Sequence, residues 1–316
     1  MAVFTQVNKE DLNKFLGNYT IGSLVSLNGI IEGIENSNFK VTTNKGNFIL
    51  TIFEKRVNPI DLPFFMDLQK HLYLNKFDCP LPIQNKSGKT INKLHNKNAV
   101  LISFLEGRQI SKPNSTHCIQ VGEMIGNLIN IASSFDQKRN NSLNLSKWRD
   151  IFSKCEKAKK HRFINFIEPM QNELDYLKLN WPKNLPTNII HADLFKDNIF
   201  FKKDKLSGVI DFYFSCNDFN IYELAIAINA WCFDEKNIFS LENFKSLVKG
   251  YNKYLSLSEE EIKNFNTVIR GATMRILVTR LHDYIFHDDN AMVVPKDPNE
   301  YFEILKFHQQ NSIFEL

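Results

Sequence analysis

The sequence predicts an α+β protein in two lobes, a small antiparallel β-rich lobe followed by a larger helical one. Over residues 1–104, short runs that alternate apolar and polar side chains are punctuated by Gly and Asn turns. From residue 107 to 316 the apolar residues recur instead at helical spacing. Between these stretches lies Ser103-Phe104-Leu105-Glu106-Gly107, an edge strand running into a glycine, which sets an inter-lobe connector at about 102–107.

Asn8 followed by Asp11 makes a helix start, with the asparagine as N-cap and an end near Gly17. Residues 19–27 alternate as a half-buried strand does. Asn28-Gly29 through Asn38, with Gly33 and Asn36 between, reads as a tight turn before the next strand. Its N–H groups suit a phosphate and suit an ordinary hairpin connection equally, because the spacing is not G-x-G-x-x-G. Residues 39–43 and 48–53 flank Asn44-Lys45-Gly46 as a hairpin. A helix over about 59–75 follows, with Leu62, Phe65, Leu68 and Leu72 at helical spacing. Cys79-Pro80-Leu81-Pro82 breaks the chain, and a second hairpin, 91–94 with 99–104, closes the sheet. Helices are expected at 116–135, 148 to about 160, and about 164–179. Two apolar strands then bracket a polar loop at 191–198, and helices resume at about 220–233, 241–254, 258–282 and 299–309. Ser258-Glu259-Glu260-Glu261 is a capping box.

The 316 residues, 43% hydrophobic and 23% charged, suffice for a large buried core and argue against disorder. A formal net charge of +4 is too weak to point to nucleic acid, and the basic run Lys154 to Arg162 reads as a solvated helix face. Five dispersed cysteines, with no C-x-x-C pair and no His cluster at zinc spacing, read as reduced, buried thiols. No run reaches the roughly 18 uncharged residues of a spanning helix, and residues 1–11 carry no apolar signal core. The expectation is a cytoplasmic protein without membrane or nucleic-acid partners.

The chemistry concentrates in Asn188-Ile-Ile-His191-Ala-Asp193-Leu-Phe-Lys-Asp-Asn198, followed by Gly208-Val-Ile-Asp211-Phe212. Taken singly, Asp193, Asp197 and Asn198 are ordinary turn residues. Taken together they spell H-x-D-x-x-x-x-N, with a second carboxylate at Asp211 after another apolar strand. This spacing resembles the catalytic loop and metal-binding Asp of protein-kinase-like phosphotransferases. In that layout Asp193 accepts the acceptor's hydroxyl proton, and Asn198 and Asp211 offer hard oxygens to Mg²⁺. His191 braces the loop.

The missing Arg after the His, with Ala192 in its place, is similar to the aminoglycoside phosphotransferase and choline kinase superfamily, the small-molecule branch of that fold. The resemblance implies an ATP-dependent, Mg²⁺-requiring kinase, with adenine held at the connector by backbone around Ser103 and Leu105. Asn36 and Lys55 are its candidates for the phosphates. Within the superfamily the chain looks most like the homoserine kinase family of bacterial threonine biosynthesis. Gly33-Ile-Glu-Asn36-Ser-Asn-Phe39, Phe48-Ile-Leu-Thr-Ile-Phe-Glu54, Leu62-Pro-Phe-Phe-Met-Asp-Leu68, Asp211-Phe-Tyr-Phe214 and Asn229-Ala-Trp-Cys-Phe233 carry that likeness. The chain departs from the pattern where kinases place a strand Lys. Thr51 stands there, Lys55 or Arg56 is the substitute, and Asp61 and Asp67 are the acids nearest to the usual helix Glu.

An acceptor such as L-homoserine needs a guanidinium for its carboxylate and an acid for its ammonium. Arg275 and Arg280, five residues apart and so on different faces of one helix, are the candidates for the first. Asp218 or Glu223 is the candidate for the second. A choline-type acceptor would need an aromatic cage instead, for which Tyr213, Tyr222 and Trp231 are available. Three readings follow: a homoserine kinase, another amino-alcohol or aminoglycoside kinase of this fold, and a nucleotide-binding pseudokinase suggested by Thr51.

Overall fold

The computed structural model describes residues 5–30, 36–54, 57–158, 161–287 and 294–316. Gly33, Lys55 and Arg56, singled out above, lie outside the described residues. The chain divides into two compact units, Met1–Gly107 with Ser207–Tyr213, and Arg108–Leu206 with Phe214–Leu316. The strip carrying Asp211 thus belongs to the first unit, although it follows the whole catalytic loop in sequence.

The first unit is built on a five-stranded antiparallel sheet in the order β1-β2-β3-β5-β4. Its strands are β1 (Leu24–Ile30), β2 (Ser37–Thr43), β3 (Gly46–Ile52), β4 (Asn92–Leu94) and β5 (Lys97–Ser103). Helix α1 (Lys9–Leu16) begins as expected, the Asn8 side chain accepting the Asp11 N–H. Its Leu12, Phe15 and Leu16 pack with Phe39, Val41, Leu50, Ile52, Ala99 and Leu101, the alternate residues of the three central strands. Helix α2 (Leu62–Leu74) buries Phe65, Leu68 and Leu72, and a short 3₁₀ turn over Pro59–Asp61 leads into it. The first strand differs from expectation. Tyr19 and Ile21 are buried in turns, and Asn28 and Gly29, read as a turn, pair with Lys40 and Phe39 inside β1. Burial of the two apolar residues does not require an extended backbone, which the alternation alone suggested.

The second unit is helical. It comprises α3 (Ser115–Ala132), α4 (Leu145–Lys157), α5 (Ile167–Asn180), α6 (Asn220–Trp231), α7 (Leu241–Tyr251), α8 (Glu259–Ile285) and α9 (Asn299–Gln310). Helix α8 starts at the predicted capping box, Ser258 and Glu261 capping each other reciprocally. Every residue of α6 from Ile221 to Trp231 is buried, as are most from Val268 to Val278 on α8, so these two form the centre of the core. Helices α3 and α7 approach until a Cβ on Gly122 would lie 1.9 Å from the Leu247 carbonyl oxygen, and one on Gly250 would lie 2.0 Å from that of Ile119. Strand β6 (Thr187–Ile190) leads into the catalytic loop and pairs antiparallel with β9 (Cys216–Phe219), Ile190 opposite Cys216 and Asn188 opposite Asp218. Strands β7 (Ile199–Lys202) and β8 (Lys205–Val209) turn through Lys203 and Asp204, both left-handed. The pairing partner β9, Cys-Asn-Asp-Phe, has no clear alternation that would predict a strand from sequence. All five cysteines are buried free thiols, and no helix among the described residues is long and apolar enough to cross a membrane.

Candidate active site

The catalytic loop is an unusual piece of backbone fastened at several points. Ala192 has φ 65°, a left-handed conformation costly for a residue with a Cβ, and it persists because both sides of its peptide are clamped. Glu223, on α6 and fully buried, accepts the N–H of His191 at 2.6 Å and that of Ala192 at 2.8 Å, one on each carboxylate oxygen. From the other side Arg275 of α8 donates Nη1 to the Ala192 carbonyl. His191, also fully buried, accepts the Asp193 N–H on Nδ1 at 3.2 Å, so it braces the loop as expected. Trp231 Nε1 donates to the Leu194 carbonyl at 3.0 Å, which gives this core tryptophan a second duty.

Burial pushes the Glu223 carboxyl up to about 7, and the two loop N–H groups and Arg275 pull it only part of the way back. Sequence reading offered Glu223 for an acceptor's ammonium. Its side chain instead faces the loop backbone, with no exposed surface. The signal available was its place in a largely apolar helix, where a carboxylate needs partners.

Asp193 is 19% exposed at its side chain and oriented by two neighbours. Arg275 Nη2 lies 3.4 Å from Oδ1, and Asn198 donates Nδ2 both to Oδ2 at 3.0 Å and to the Asp193 carbonyl at 2.9 Å. With its amide nitrogen committed to Asp193, Asn198 presents its amide oxygen as a ligand, the atom a hard cation prefers. Asp211, in the other unit, also holds a left-handed φ of 66°. No group of three or more His, Cys, Asp or Glu forms a closed metal cage among the described residues. An amide oxygen such as that of Asn198 is a hard donor of the kind Mg²⁺ accepts alongside waters and phosphate oxygens.

The other candidate polar groups of the second unit have partners of their own. Asp218 on β9 accepts Asn141 Nδ2 at 2.6 Å and the Phe219 N–H at 2.8 Å, and burial raises its carboxyl. Arg275 is 3% exposed, its plane lies over the Phe214 ring at 5.4 Å, and its Nε has no hydrogen-bond partner. Arg280 is engaged elsewhere, with Glu300 at 2.5 Å and over the Tyr301 ring at 4.4 Å. The two arginines do face different ways, as their spacing implied.

In the first unit, Thr51 donates to Asn38 Oδ1 at 2.8 Å across β2 and β3 and hydrogen-bonds Tyr213, two residues past Asp211. Thr51 is thus a neutral, satisfied hydroxyl. Lys97 pairs with Glu54, whose burial is outweighed by hydrogen bonds from Lys97, Ser37 and Thr5 that hold its carboxyl below the ordinary value. Asn36 is buried and accepts the Glu54 N–H at 3.4 Å. At the end of β5, the Ser103 N–H donates to the Leu81 carbonyl, and its hydroxyl accepts the Leu81 N–H, each at 2.8 Å. Leu105 follows beyond the last paired residue.

A family model described as phosphotransferase enzyme family matches residues 26–254. A homoserine kinase of Rhizobium etli is 43% identical over 310 residues, covering 98% of this chain and 97% of that protein. A homoserine kinase of Agrobacterium fabrum is 43% identical over 309 residues, covering 98% and 96%. Among solved structures, an amicoumacin kinase in complex with AMP-PNP, Ca²⁺ and Ami superposes with a TM-score of 0.70 at 14% identity, over 98% of this chain and 94% of that one. That likeness shows a shared kinase-like fold.

Proposed function

This chain belongs to the phosphotransferase enzyme family, and from that premise we propose that it is an ATP-dependent homoserine kinase, forming O-phospho-L-homoserine on the route to threonine. The observation that carries the reading is near-full-length similarity to proteins named homoserine kinase in a chain whose loop holds Asp193 between Asn198 and Arg275.

In the proposed reaction the acceptor's hydroxyl oxygen forms a bond to the γ-phosphorus, the bond to the bridging oxygen breaks, and ADP leaves. Asp193 aligns the hydroxyl and takes its proton. Arg275 and the Asn198 amide hold that carboxylate in a fixed orientation, because each reaches one of its oxygens. Asn198 and Asp211 would hold Mg²⁺, whose contribution when bound is to neutralise charge on the phosphate oxygens. Backbone at Ser103 and Leu105 would hold the adenine. With the Ser103 N–H directed to Leu81, the later residue is the better donor. Asn36 and Lys55 complete the proposed nucleotide set. Asp218 is proposed to meet the ammonium of the acceptor. For its carboxylate, Arg275 and Arg280 were the candidates from sequence, and their contacts with the loop and with Glu300 favour a bracing role.

The test is direct. Incubation with Mg²⁺-ATP and L-homoserine should yield ADP and a phosphoester in equal amounts. Turnover of choline, ethanolamine or an aminoglycoside in preference would replace the acceptor. ATP binding with no turnover across such a panel would leave the pseudokinase reading.

A further inference from the structure

Outside the loop and its clamps, one further stretch packs against strand β9. It is the connection between α3 and α4. Residues 139–141 run alongside β9 as an extra strand edge. The Arg139 N–H donates to Asn217 Oδ1 at 2.9 Å, the Asn217 N–H donates to the Arg139 carbonyl at 2.7 Å, and Asn140 bridges Asn217 in parallel. In an extended run Arg139 and Asn141 fall on the same face. The guanidinium of Arg139 is oriented by the Ser215 carbonyl at 3.1 Å and the Ser142 hydroxyl at 3.2 Å. The Asn141 amide is fixed in orientation too: its oxygen accepts the Leu143 N–H at 2.8 Å, and its nitrogen holds Asp218 at 2.6 Å.

These bonds place a half-buried guanidinium and a half-buried carboxylate on neighbouring runs, joined through Asn217. The same strand pair, β6 with β9, leads directly into the loop that carries Asp193. An α-amino acid presents a carboxylate and an ammonium on one carbon, so its reader must hold a cation and an anion side by side on a stiff frame. Asp218 has one donor on each oxygen, and a carboxylate oxygen accepts two. We propose that the acceptor's α-amino acid group is read by this pair, Arg139 taking the α-carboxylate and Asp218, held by Asn141, taking the α-ammonium. Burial already raises the Asp218 carboxyl, and an arriving ammonium relieves that. Arg275 is less suited to the carboxylate because its side chain is only 3% exposed, whereas Arg139 is half-buried. The inference rests on the homoserine reading and names the residues that would select that substrate.

Pairing each variant with the matching substrate deletion tests the assignment. R139M is assayed with L-homoserine and with 3-aminopropan-1-ol, the same chain without its carboxylate. D218N is assayed with L-homoserine and with 4-hydroxybutanoate, the same chain without its ammonium. For R139M, kcat/KM toward L-homoserine should fall on the order of 100-fold with KM for ATP unchanged, and the penalty toward 3-aminopropan-1-ol should shrink to about 3-fold or less. D218N should show the same coupling with 4-hydroxybutanoate. Because each penalty is compared within one protein preparation, a partly misfolded variant lowers both acceptors alike and the ratio survives. Equal penalties toward both acceptors would overturn the assignment and leave 139–141 as scaffolding. A wild-type enzyme that phosphorylates other alcohols but not L-homoserine would overturn the homoserine reading itself, and this assignment with it.

Discussion

Replacing Glu223 by Gln separates what the catalytic loop needs from what the fold needs. The folded carboxyl stands at about 7 against an ordinary 4.5, so between those values the folded chain keeps a proton that the unfolded chain has released. The contribution of Glu223 to stability is therefore complete below pH 4.5 and is lost as the pH climbs to about 7. At 1.36 kcal/mol per pH unit the loss is about 3 kcal/mol. Glutamine carries no such proton, so the wild type should lose about 3 kcal/mol relative to E223Q between pH 4.5 and 8. Against this, glutamine turns an NH₂ toward one of the two loop N–H groups, which costs about 1–3 kcal/mol. At pH 8 the variant should be as stable as the wild type, or up to about 2 kcal/mol more so. Its kcat should nevertheless fall on the order of 100-fold, because the Ala192 peptide loses half its clamp and Asp193 shifts. Urea denaturation followed by fluorescence of Trp148, Trp181 and Trp231 across this range, with turnover at pH 8, measures both. Parallel pH–stability curves would refute the burial argument, and wild-type kcat would refute the clamp.

Asp193→Asn should abolish turnover with ATP affinity nearly intact, whereas Asp211→Ala should lose Mg²⁺-dependent nucleotide binding. Calorimetric titration with ATP in the presence and absence of Mg²⁺ distinguishes them, and an Asp211→Ala protein with unchanged metal dependence would mean another acid holds the ion. His308 is fully buried against Asn229 at 2.8 Å, and burial holds it down to about 3 from an ordinary 6.5. Its contribution is complete above pH 6.5 and is lost toward pH 3, approaching 1.4 kcal/mol per pH unit, roughly. H308Q should flatten that limb, and an unchanged acid limb would show that the ring is protonated in the fold. Gly271→Ala would set a methyl 2.1 Å from the Trp181 ring and should destabilise by about 1–3 kcal/mol, read as a lowered Tm. An unchanged Tm would show that the indole moves aside freely.

The parts of this molecule legible in sequence are those where chemistry and periodicity coincide. The spacing from His191 to Asn198 named the loop, and the caps at Asn8 and Ser258 named helix starts to the residue. Element ends drifted by a few residues where a 3₁₀ turn or a frayed last turn intervenes, as at Pro59–Asp61 and Ile164–Phe166. What the sequence withheld is what tertiary contact decides. Nothing in the string Arg139-Asn140-Asn141 marks it as an edge beside β9, since its hydrogen-bond partners there lie 76 to 78 residues away. Arg275 and Glu223 carry no motif either. Their meaning comes from the single strained peptide at Ala192 that both of them reach.

The meeting of α3 and α7 has a consequence for how this enzyme would fail. Both helices touch backbone to backbone at Gly122 and Gly250, and a carbonyl oxygen has no rotamer with which to yield. Helix α3 also carries the Ile129 carbonyl that accepts Asn188 Nδ2 at 3.0 Å, and Asn188 lies in the strand that runs into His191. A methyl added at Gly250 therefore acts as a wedge whose displacement passes through α3 and β6 to the catalytic loop. A genetic screen for loss of activity should recover alanine at Gly250 among its null alleles, on a helix that carries none of the proposed substrate residues.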